Sequence, residues 1–171
     1  MNNILLCDLH RFGSSVKGHR VRFVKAFRRA QFASNKYVRI YYRLKCNAFA
    51  VLYGLEISPD TQIGEGFRID HAYNITINPC SIIGKNCTLQ KGVTIGCEAR
   101  GLRKGAPILG DNIWIGSNAV IVGKITIGND VLIAPNSFVN RDIPSHSVVF
   151  GNPCVVHHNP HATEGYIVFP V

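Results

Sequence analysis

Residues 109–139 read LGDNIWIGSNAVIVGKITIGNDVLIAPNSFV, and an aliphatic residue occupies every sixth position of this stretch, from Leu109 to Val139. The same spacing starts at Ile57, with two residues inserted after Ile69 and eight after Ile95. The thirteen positions are Ile57, Ile63, Ile69, Ile77, Ile83, Leu89, Ile95, Leu109, Ile115, Ile121, Ile127, Ile133 and Val139. A six-residue period is typical of a parallel β-helix, in which each hexapeptide supplies one short strand and one turn.

Glycine directly follows the aliphatic residue at six of these positions, where a corner needs either a missing Cβ or a close backbone approach. The six are Gly64, Gly84, Gly96, Gly110, Gly116 and Gly128. The repeat therefore predicts a mostly β fold of about four coils. Burial of the stacked aliphatic side chains, at roughly 1.5–3 kcal/mol each, would offset the entropy lost when such thin coils become ordered.

The length and composition suit one domain with an appendage, since the chain has 171 residues and 46% of them are hydrophobic. No stretch approaches the roughly 18 consecutive apolar residues of a membrane span. The first residues, MNNILLCDLHRFG, lack the basic-then-apolar order of a secretory signal. We therefore expect a cytoplasmic location. Six cysteines without CxxC spacing indicate reduced thiols rather than a zinc site.

The net charge of +9 lies entirely in the first third of the chain. Residues 1–55 hold 11 Lys and Arg against the single acid Asp8, whereas residues 56–171 hold 8 Lys and Arg against 9 Asp and Glu. A solvated helix face is the first interpretation of this basic block. Contact with a membrane surface or another anionic partner is the second. A nucleic-acid partner is not expected.

The basic segment predicts a hairpin of two helices. Val21, Val24 and Phe27 recur at helical spacing among arginines and a lysine. Asn35 suits the start of a second helix, which Gly54 can end. The apolar stripe of that second helix is Tyr37, Tyr41, Leu44, Ala48, and Val51 or Leu52.

The organisation of the chain follows from where the period changes. We predict a helical segment over residues 1–55, a β-helix over 56–156 and a C-terminal tail over 157–171. The tail, HHNPHATEGYIVFPV, fits neither a helix nor the repeat, so we expect it to run back over a neighbouring surface. The stretch CEARGLRKGAP, which lengthens the spacing between Ile95 and Leu109 by eight residues, is expected to project from the scaffold as a loop of the kind that carries function.

The repeat region, over about residues 55–155, resembles the hexapeptide-repeat acyltransferase superfamily and, within it, most closely the serine O-acetyltransferases. The runs that carry the resemblance are LEISPDTQIGEGFRIDHAYNITI, LQKGVTIG, GDNIWIGSNAVIVGKITIGND and the closing GNP. The resemblance implies a left-handed β-helix, a homotrimer with active sites between subunits, and acetyl-CoA as donor.

The chain departs from the family pattern in three places. Its helical segment is much shorter than the family's usual N-terminal domain. The usual aspartate in the first coil is Glu56 here, which retains the carboxylate. The family's Arg-His pair before a proline is replaced by Gly105 and Ala106 before Pro107. Related transferases of polysaccharide biosynthesis share the repeat and the aspartate-histidine pair, so a sugar hydroxyl is also an acceptor to consider.

Acetyl transfer to a hydroxyl needs a base, because a free alcohol is a poor nucleophile near neutral pH. His71 is the predicted general base, since neutral imidazole can take the hydroxyl proton and then protonate the leaving thiolate. Glu56 is the predicted carboxylate partner of its ring, following triad logic, and precedes it by fifteen residues, close to one coil. The resemblance assigns acceptor binding to Asp70.

The resemblance also places the donor. It implies that Ser117 contacts the pantetheine arm, with Ala134 and Pro135, then Gly151 and Pro153, lying further towards the adenine. Three basic residues of the projecting loop are candidates for phosphates or an anionic acceptor, with simple solvation as the alternative: Arg100, Arg103 and Lys104. No metal is expected, because no acid or cysteine completes a ligand set with the tail histidines His157, His158 and His161.

The sequence thus predicts a trimeric, acetyl-CoA-dependent O-acetyltransferase with an N-terminal helical hairpin, acting by direct attack. L-serine, acetylated in cysteine biosynthesis, is the first acceptor. Two alternatives stay open: a sugar or polysaccharide O-acetyltransferase of capsule or exopolysaccharide biosynthesis, and a non-catalytic β-helix scaffold.

Overall fold

The computed structural model describes residues 2–15 and 17–171. Three helices precede the repeat: α1 (Asn2–His10), α2 (His19–Phe32) and α3 (Lys36–Tyr53). The side chain of Asn35 caps α3 by accepting from Tyr37 N at 2.9 Å, and Gly54 ends the helix in the left-handed region (φ 66°). The predicted hairpin is therefore present as α2 and α3, and α1 is an additional helix that the sequence did not indicate.

Fifteen short strands follow in the described part of the chain. They are β1 (Leu55–Ile57), β2 (Gln62–Ile63), β3 (Arg68–Ile69), β4 (Ile75–Ile77), β5 (Ile82–Ile83), β6 (Thr88–Leu89), β7 (Thr94–Gly96), β8 (Ile108–Leu109), β9 (Ile113–Ile115), β10 (Val120–Val122), β11 (Thr126–Ile127), β12 (Val131–Ile133), β13 (Phe138–Val139), β14 (Ser147–Phe150) and β15 (Val155–His158).

The strands form three parallel sheets that enclose one core. Sheet 1 has the order β1-β4-β7-β10-β13, sheet 2 has β11-β8-β5-β2, and sheet 3 has β15-β14-β12-β9-β6-β3. Only β15 is antiparallel, paired with β14. The fold is a left-handed parallel β-helix, as predicted.

The thirteen aliphatic residues of the six-residue repeat build the core as three stacks along the β-helix axis. All thirteen are at most 6% exposed. The first stack is Ile57, Ile77, Ile95, Ile121 and Val139; the second is Ile63, Ile83, Leu109, Ile127 and Ile143; the third is Ile69, Leu89, Ile115, Ile133 and Val149. The expectation of about four coils was wrong, because Ile143 and Val149 complete a fifth coil after the six-residue spacing has ended.

The face by which α3 packs also differs from the predicted stripe. Tyr42, Cys46, Phe49 and Tyr53 face the body, and the Phe49 ring lies edge-on to Phe23 of α2 at 5.6 Å. The residues of the predicted stripe are exposed. Both sets recur at helical spacing, so periodicity did not distinguish the buried apolar face from the exposed one.

A buried ion pair fastens α1 and α2 to the first coil. Arg28 Nε donates to Asp8 Oδ2 at 2.6 Å, and both side chains are inaccessible to solvent. Asp8 Oδ1 accepts from Phe67 N (2.8 Å), and Arg28 also donates to the carbonyl of Ile63 (2.8 Å). Because each charge is paired and hydrogen-bonded, the pair can be held in the interior.

The C-terminal tail runs back along sheet 3, as expected from the sequence. Thr163 donates to Asp130 through its N (2.9 Å) and Oγ1 (2.6 Å), and Tyr166 packs edge-on against Trp114 at 4.9 Å. At the end of the chain, Val171 N donates to Asn86 Oδ1 (2.9 Å). The tail therefore covers one of the three outer faces.

Candidate active site

His71 lies at the corner that joins β3 of the first coil to β4 of the second. It is exposed and adopts a left-handed conformation (φ 51°), which a non-glycine residue adopts only when its surroundings hold it. Its carbonyl accepts from Tyr73 N at 2.8 Å, and Asp70 N donates to the Leu89 carbonyl at 2.8 Å. The predicted base therefore stands on a tightly bonded turn with its ring open to solvent.

The first turn of α2 holds this corner from the side. His19 Nε2 lies 3.1 Å from the carbonyl of Ala72, and the His19 ring stacks on Tyr53 with ring centroids 4.6 Å apart. Since a carbonyl can only accept, His19 Nε2 carries the proton. Tyr73 also packs against the His19 ring at 4.8 Å, tilted by 53°, and lies 5.8 Å from Tyr53. No sequence pattern indicated this role, because a histidine at a helix start has no characteristic spacing to the residue it supports.

Asp70, the predicted acceptor-binding residue, is engaged by two arginines. Arg68 donates to it through Nε (2.9 Å) and Nη2 (3.1 Å), and Arg20 of α2 forms a second ion pair with the same carboxylate. Its side chain is 15% exposed. The two guanidinium groups satisfy most of its acceptor capacity. An acceptor's ammonium group would have to compete with both of them for this carboxylate.

Glu56 points outward from the centre of β1, on the outer face of sheet 1. Thr76 Oγ1 donates to it at 3.4 Å, and among the described residues no hydrogen bond joins Glu56 to His71. Glu56 lines a groove of about 580 Å³ between sheet 1 and α3, whose other polar walls include Arg43, Asn47 and Asn78. His71 lies outside this groove, so the structure does not bring the two predicted catalytic residues into direct contact.

The residues predicted to hold the donor lie on the same edge of the β-helix as His71. This edge is the corner between sheets 3 and 1, where each coil contributes one turn. Backbone hydrogen bonds join each turn to the next coil. Gln90 N donates to the carbonyl of Ile115 (3.0 Å), Gly116 N to that of Ile133 (2.8 Å), Ala134 N to that of Val149 (2.7 Å) and Phe138 N to that of Gly151 (3.0 Å). Ser117, Ala134 with Pro135, and Gly151 with Pro153 occupy successive turns.

The stacked turns that hold His71, Ser117, Ala134 with Pro135, and Gly151 with Pro153 are called the edge column below. The spacing within this column follows from the separation of neighbouring strands. At about 4.8 Å per coil, Ser117 lies two coils or roughly 10 Å from His71, and Pro135 lies three coils or roughly 14 Å away. Gly151 lies four coils or roughly 19 Å away. The column is thus long and straight enough to hold an extended ligand whose reactive end reaches His71.

The projecting loop occurs at the opposite edge of sheet 1, between β7 and β8. Its base is closed by Glu98 N donating to the Gly105 carbonyl (2.9 Å) and by the reciprocal bond (3.0 Å). Arg103 pairs with Glu98 at 3.4 Å, and Lys124 N donates to the Arg103 carbonyl at 2.8 Å. Since sheet 1 separates the loop from the His71 corner, the two do not share a site within one chain.

The tail histidines do not form a metal site in the part of the chain that the structure describes. No group of three His, Cys, Asp or Glu side chains there could hold a metal ion. His157 stacks on Phe150 with centroids 5.2 Å apart, and His161 lies 3.6 Å from Glu164 on the surface.

The repeat matches a known family model over part of the chain. Residues 106–141 match the model described as bacterial transferase hexapeptide, six repeats. Over a longer stretch the chain is similar to serine acetyltransferases. It is 37% identical over 111 residues to the serine acetyltransferase of Synechococcus elongatus, covering 65% of this chain and 46% of that protein. The serine acetyltransferase of Staphylococcus xylosus is 41% identical over 100 residues, covering 58% of this chain and 46% of its own.

Solved structures agree in fold. The soybean serine acetyltransferase apoenzyme superposes with a TM-score of 0.76 at 25% identity, covering 90% of this chain and 67% of the soybean chain. A serine acetyltransferase in complex with CoA gives a TM-score of 0.74 at 21% identity and shares the fold, covering 91% of this chain and 68% of its own. The chain spans about half the length of the bacterial relatives that it matches.

Proposed function

We propose that the protein is an acetyl-CoA-dependent O-acetyltransferase whose acceptor is the hydroxyl of L-serine, a reaction of cysteine biosynthesis. The observation that carries the proposal is the edge column, with an open, rigidly held histidine at one end and the predicted donor-binding turns in line above it. The similarity to serine acetyltransferases over 58–65% of the chain supports the choice of acceptor.

In this proposal His71 does the proton chemistry. Its neutral ring takes the proton of the acceptor hydroxyl as the oxygen attacks the thioester carbonyl, and the resulting imidazolium protonates the departing CoA thiolate. Attack is direct, because no nucleophilic side chain stands beside His71 on the corner. His19, Arg20 and Arg68 contribute indirectly, since they hold the residues on either side of His71 and so limit the movement of its ring.

Glu56 would stabilise the imidazolium from the outer face of sheet 1. In the free chain its carboxylate accepts from Thr76 Oγ1. Catalytic hydrogen bonds are often long or unmade before substrate binds, so the absence of a bond to His71 leaves this role open to test. Acetyl-CoA would lie along the column, with the pantetheine arm at Ser117 and the adenine end beyond Ala134, Pro135, Gly151 and Pro153.

A homotrimer fits the faces that remain free. The tail covers sheet 3, whereas α3 packs beside only one end of sheet 1, at β1, and the outward side chains of sheet 2 (Gln62, Ile82, Ile108 and Thr126) are exposed. Sheets 1 and 2 meet at the edge that bears the projecting loop. Only a neighbouring copy could bring that loop to a His71 corner, because within one chain sheet 1 separates them. Sedimentation should give three times the mass of 18.9 kDa. A fully active monomer would contradict this assembly.

A sugar hydroxyl is the second candidate acceptor, and two observations favour it. Asp70 is already occupied by two guanidinium groups, and the loop carries Gly105 and Ala106 where the resembling family has a charged pair. Arg103, a candidate to replace that charge, is paired with Glu98. A pocket with fewer free charges is better suited to a neutral polyol than to a zwitterion.

The acceptor can be identified by measuring kcat/KM for L-serine beside a panel of sugars and nucleotide sugars. Loss of a bidentate charged contact weakens binding by about 1.5–3 kcal/mol, or roughly 10- to 150-fold. A serine efficiency near 10⁵ M⁻¹s⁻¹ or above, ordinary for a dedicated enzyme, would establish serine acetylation and exclude the sugar alternative. If none of the acceptors in the panel causes CoA to be released, the non-catalytic scaffold becomes the better interpretation.

A further inference from the structure

Helix α3 carries a continuous apolar stripe on its outer face. Its large members are between 53% and 86% exposed. They are Tyr37, Ile40, Tyr41, Leu44, Val51 and Leu52, with the smaller Ala48 among them. At 3.6 residues per turn these positions lie within about 120° of one another around the helix axis, and the helix is about 27 Å long. Scattered surface apolar residues are ordinary, but a contiguous stripe of this kind marks an interaction surface.

The stripe has no partner among the described residues. The side of α3 that packs on the body is the opposite one, through Tyr42, Cys46, Phe49 and Tyr53. No helix in residues 2–15 and 17–171 has the length and apolar character needed to cross a membrane.

Positive charge flanks the stripe. Lys36 lies over the ring of Tyr37 (5.1 Å) and Lys45 over that of Tyr41 (4.7 Å). Beside them, a groove of about 330 Å³ between α2 and α3 is lined by Arg22, Lys25 and Arg29 and by the apolar side chain of Leu52. The groove contains no acidic residue.

The surrounding helical segment offers no negative charge to balance these cations. Its single acid, Asp8, is buried against Arg28. Of the eleven Lys and Arg in residues 1–55, Arg11 and Arg28 are buried, and Arg20 and Arg43 pair with Asp70 and Asp60. The other seven form no ion pair within the described part of the chain: Lys17, Arg22, Lys25, Arg29, Lys36, Arg39 and Lys45.

We propose that the α2–α3 hairpin docks on an anionic phospholipid bilayer. The apolar stripe of α3 lies at the boundary between headgroups and acyl chains, with Tyr37 and Tyr41 at the depth that amphipathic rings prefer. The flanking lysines extend their charged ends to the lipid phosphates, and the basic groove receives a headgroup. A symmetric contact between two hairpins would instead oppose two sets of unbalanced cations, so the charge favours the bilayer over a second copy.

Vesicle binding tests the proposal directly and requires no catalytic activity. The full chain is sedimented with phosphatidylcholine vesicles that either contain or lack phosphatidylserine, at low and high salt. We expect binding that requires phosphatidylserine and weakens with salt. Replacing Lys25, Lys36 and Lys45 together by Gln should lower the partition coefficient about a hundredfold, at roughly fivefold per charge. The matched control replaces Lys91, Lys124 and Arg141, which are exposed on the β-helix, and should leave binding within about twofold.

The apolar contribution is measured with Leu44→Ser and Val51→Ser, each expected to weaken binding about tenfold or more. The control is Leu102→Ser, a fully exposed leucine on the projecting loop. Circular dichroism verifies that each variant is folded. Absence of binding to phosphatidylserine vesicles, or binding that the stripe variants leave unchanged, overturns the proposal. So does a loss of sedimenting mass in the lipid-free Leu44→Ser variant, which would identify the stripe as a contact between copies.

Discussion

Replacing Asp8 by Ala should destabilise the protein far more than a single surface change. The carboxylate accepts from Arg28 Nε at 2.6 Å and from Phe67 N at 2.8 Å, and it is fully buried. Its loss leaves the Arg28 guanidinium buried without a counter-charge and Phe67 N without a partner. Breaking a buried pair in this way costs about 3–5 kcal/mol. For a chain of 171 residues this corresponds to a fall in Tm of roughly 6–20 °C.

The chain offers a matched control in Asp60, which pairs with Arg43 on the surface at 2.5 Å. Its side chain is 63% exposed, so Asp60→Ala should cost less than about 1 kcal/mol. Both variants are compared by thermal unfolding followed by circular dichroism. Replacing Asp8 by Leu and Arg28 by Met together should recover most of the loss, because no buried charge remains. Equal Tm values for Asp8→Ala and Asp60→Ala would refute the reasoning.

Two further predictions concern the site and the tail. Glu56→Gln should lower the acetyl transfer rate, because a carboxylate paired with the imidazolium in the substrate complex would stabilise the charge that forms there; a rate equal to that of the intact protein would mean that Glu56 and His71 are not paired. Partial burial acts to raise the pKa of Asp130, but hydrogen bonds from Thr163 and His146 outweigh it and hold that pKa below its usual value. The tail contact is therefore complete above the ordinary pKa of about 4 and is lost as the pH falls through the lower folded-state pKa. Trp114, the single tryptophan, should report this release in its emission, and Asp130→Asn should produce the same change at neutral pH; an emission unaffected by that substitution would contradict the assignment.

The β-helix could be predicted because its core uses one residue type at one spacing. Burial of each aliphatic position is dictated by hydrophobicity alone, and all thirteen are buried. The fifth coil was missed because Val139 and Ile143 are four residues apart, and a periodicity argument ends where the period does. The backbone of that coil nevertheless continues the stacks, with Val149 in register with Ile133.

The corners were predicted only in part. Close backbone approach explains Gly64, where an added Cβ would lie 2.7 Å from the carbonyl of Gly84. The left-handed conformation occurs at other corners, at asparagine (Asn86, Asn112 and Asn118) as well as at glycine (Gly66 and Gly92). Asparagine adopts this conformation more readily than other side chains because its short polar group can bond locally. Its recurrence in the sequence was a usable signal that the aliphatic pattern obscured.

The site was predicted at the level of residue type and not of contacts. His71 could be selected from its motif, but its support by His19 depends on where α2 lies relative to the first coil, which no local pattern encodes. The same holds for Asp70, because one of its arginine partners, Arg20, is fifty residues away in the chain, whereas Arg68 is only two residues away. The sequence predicted an apolar stripe on α3. Only the packing of the helix shows that this stripe faces solvent and that the opposite side of α3 contacts the body.

The role of His71 as general base is tested by CoA release from acetyl-CoA in the presence of L-serine or a sugar acceptor, measured for the intact protein and for His71→Ala. We expect acceptor-dependent release by the intact protein, a rate lower by about 10²–10⁴ in the variant, and nearly unchanged CoA affinity. Acceptor-dependent release by His71→Ala at the intact protein's rate would exclude this role.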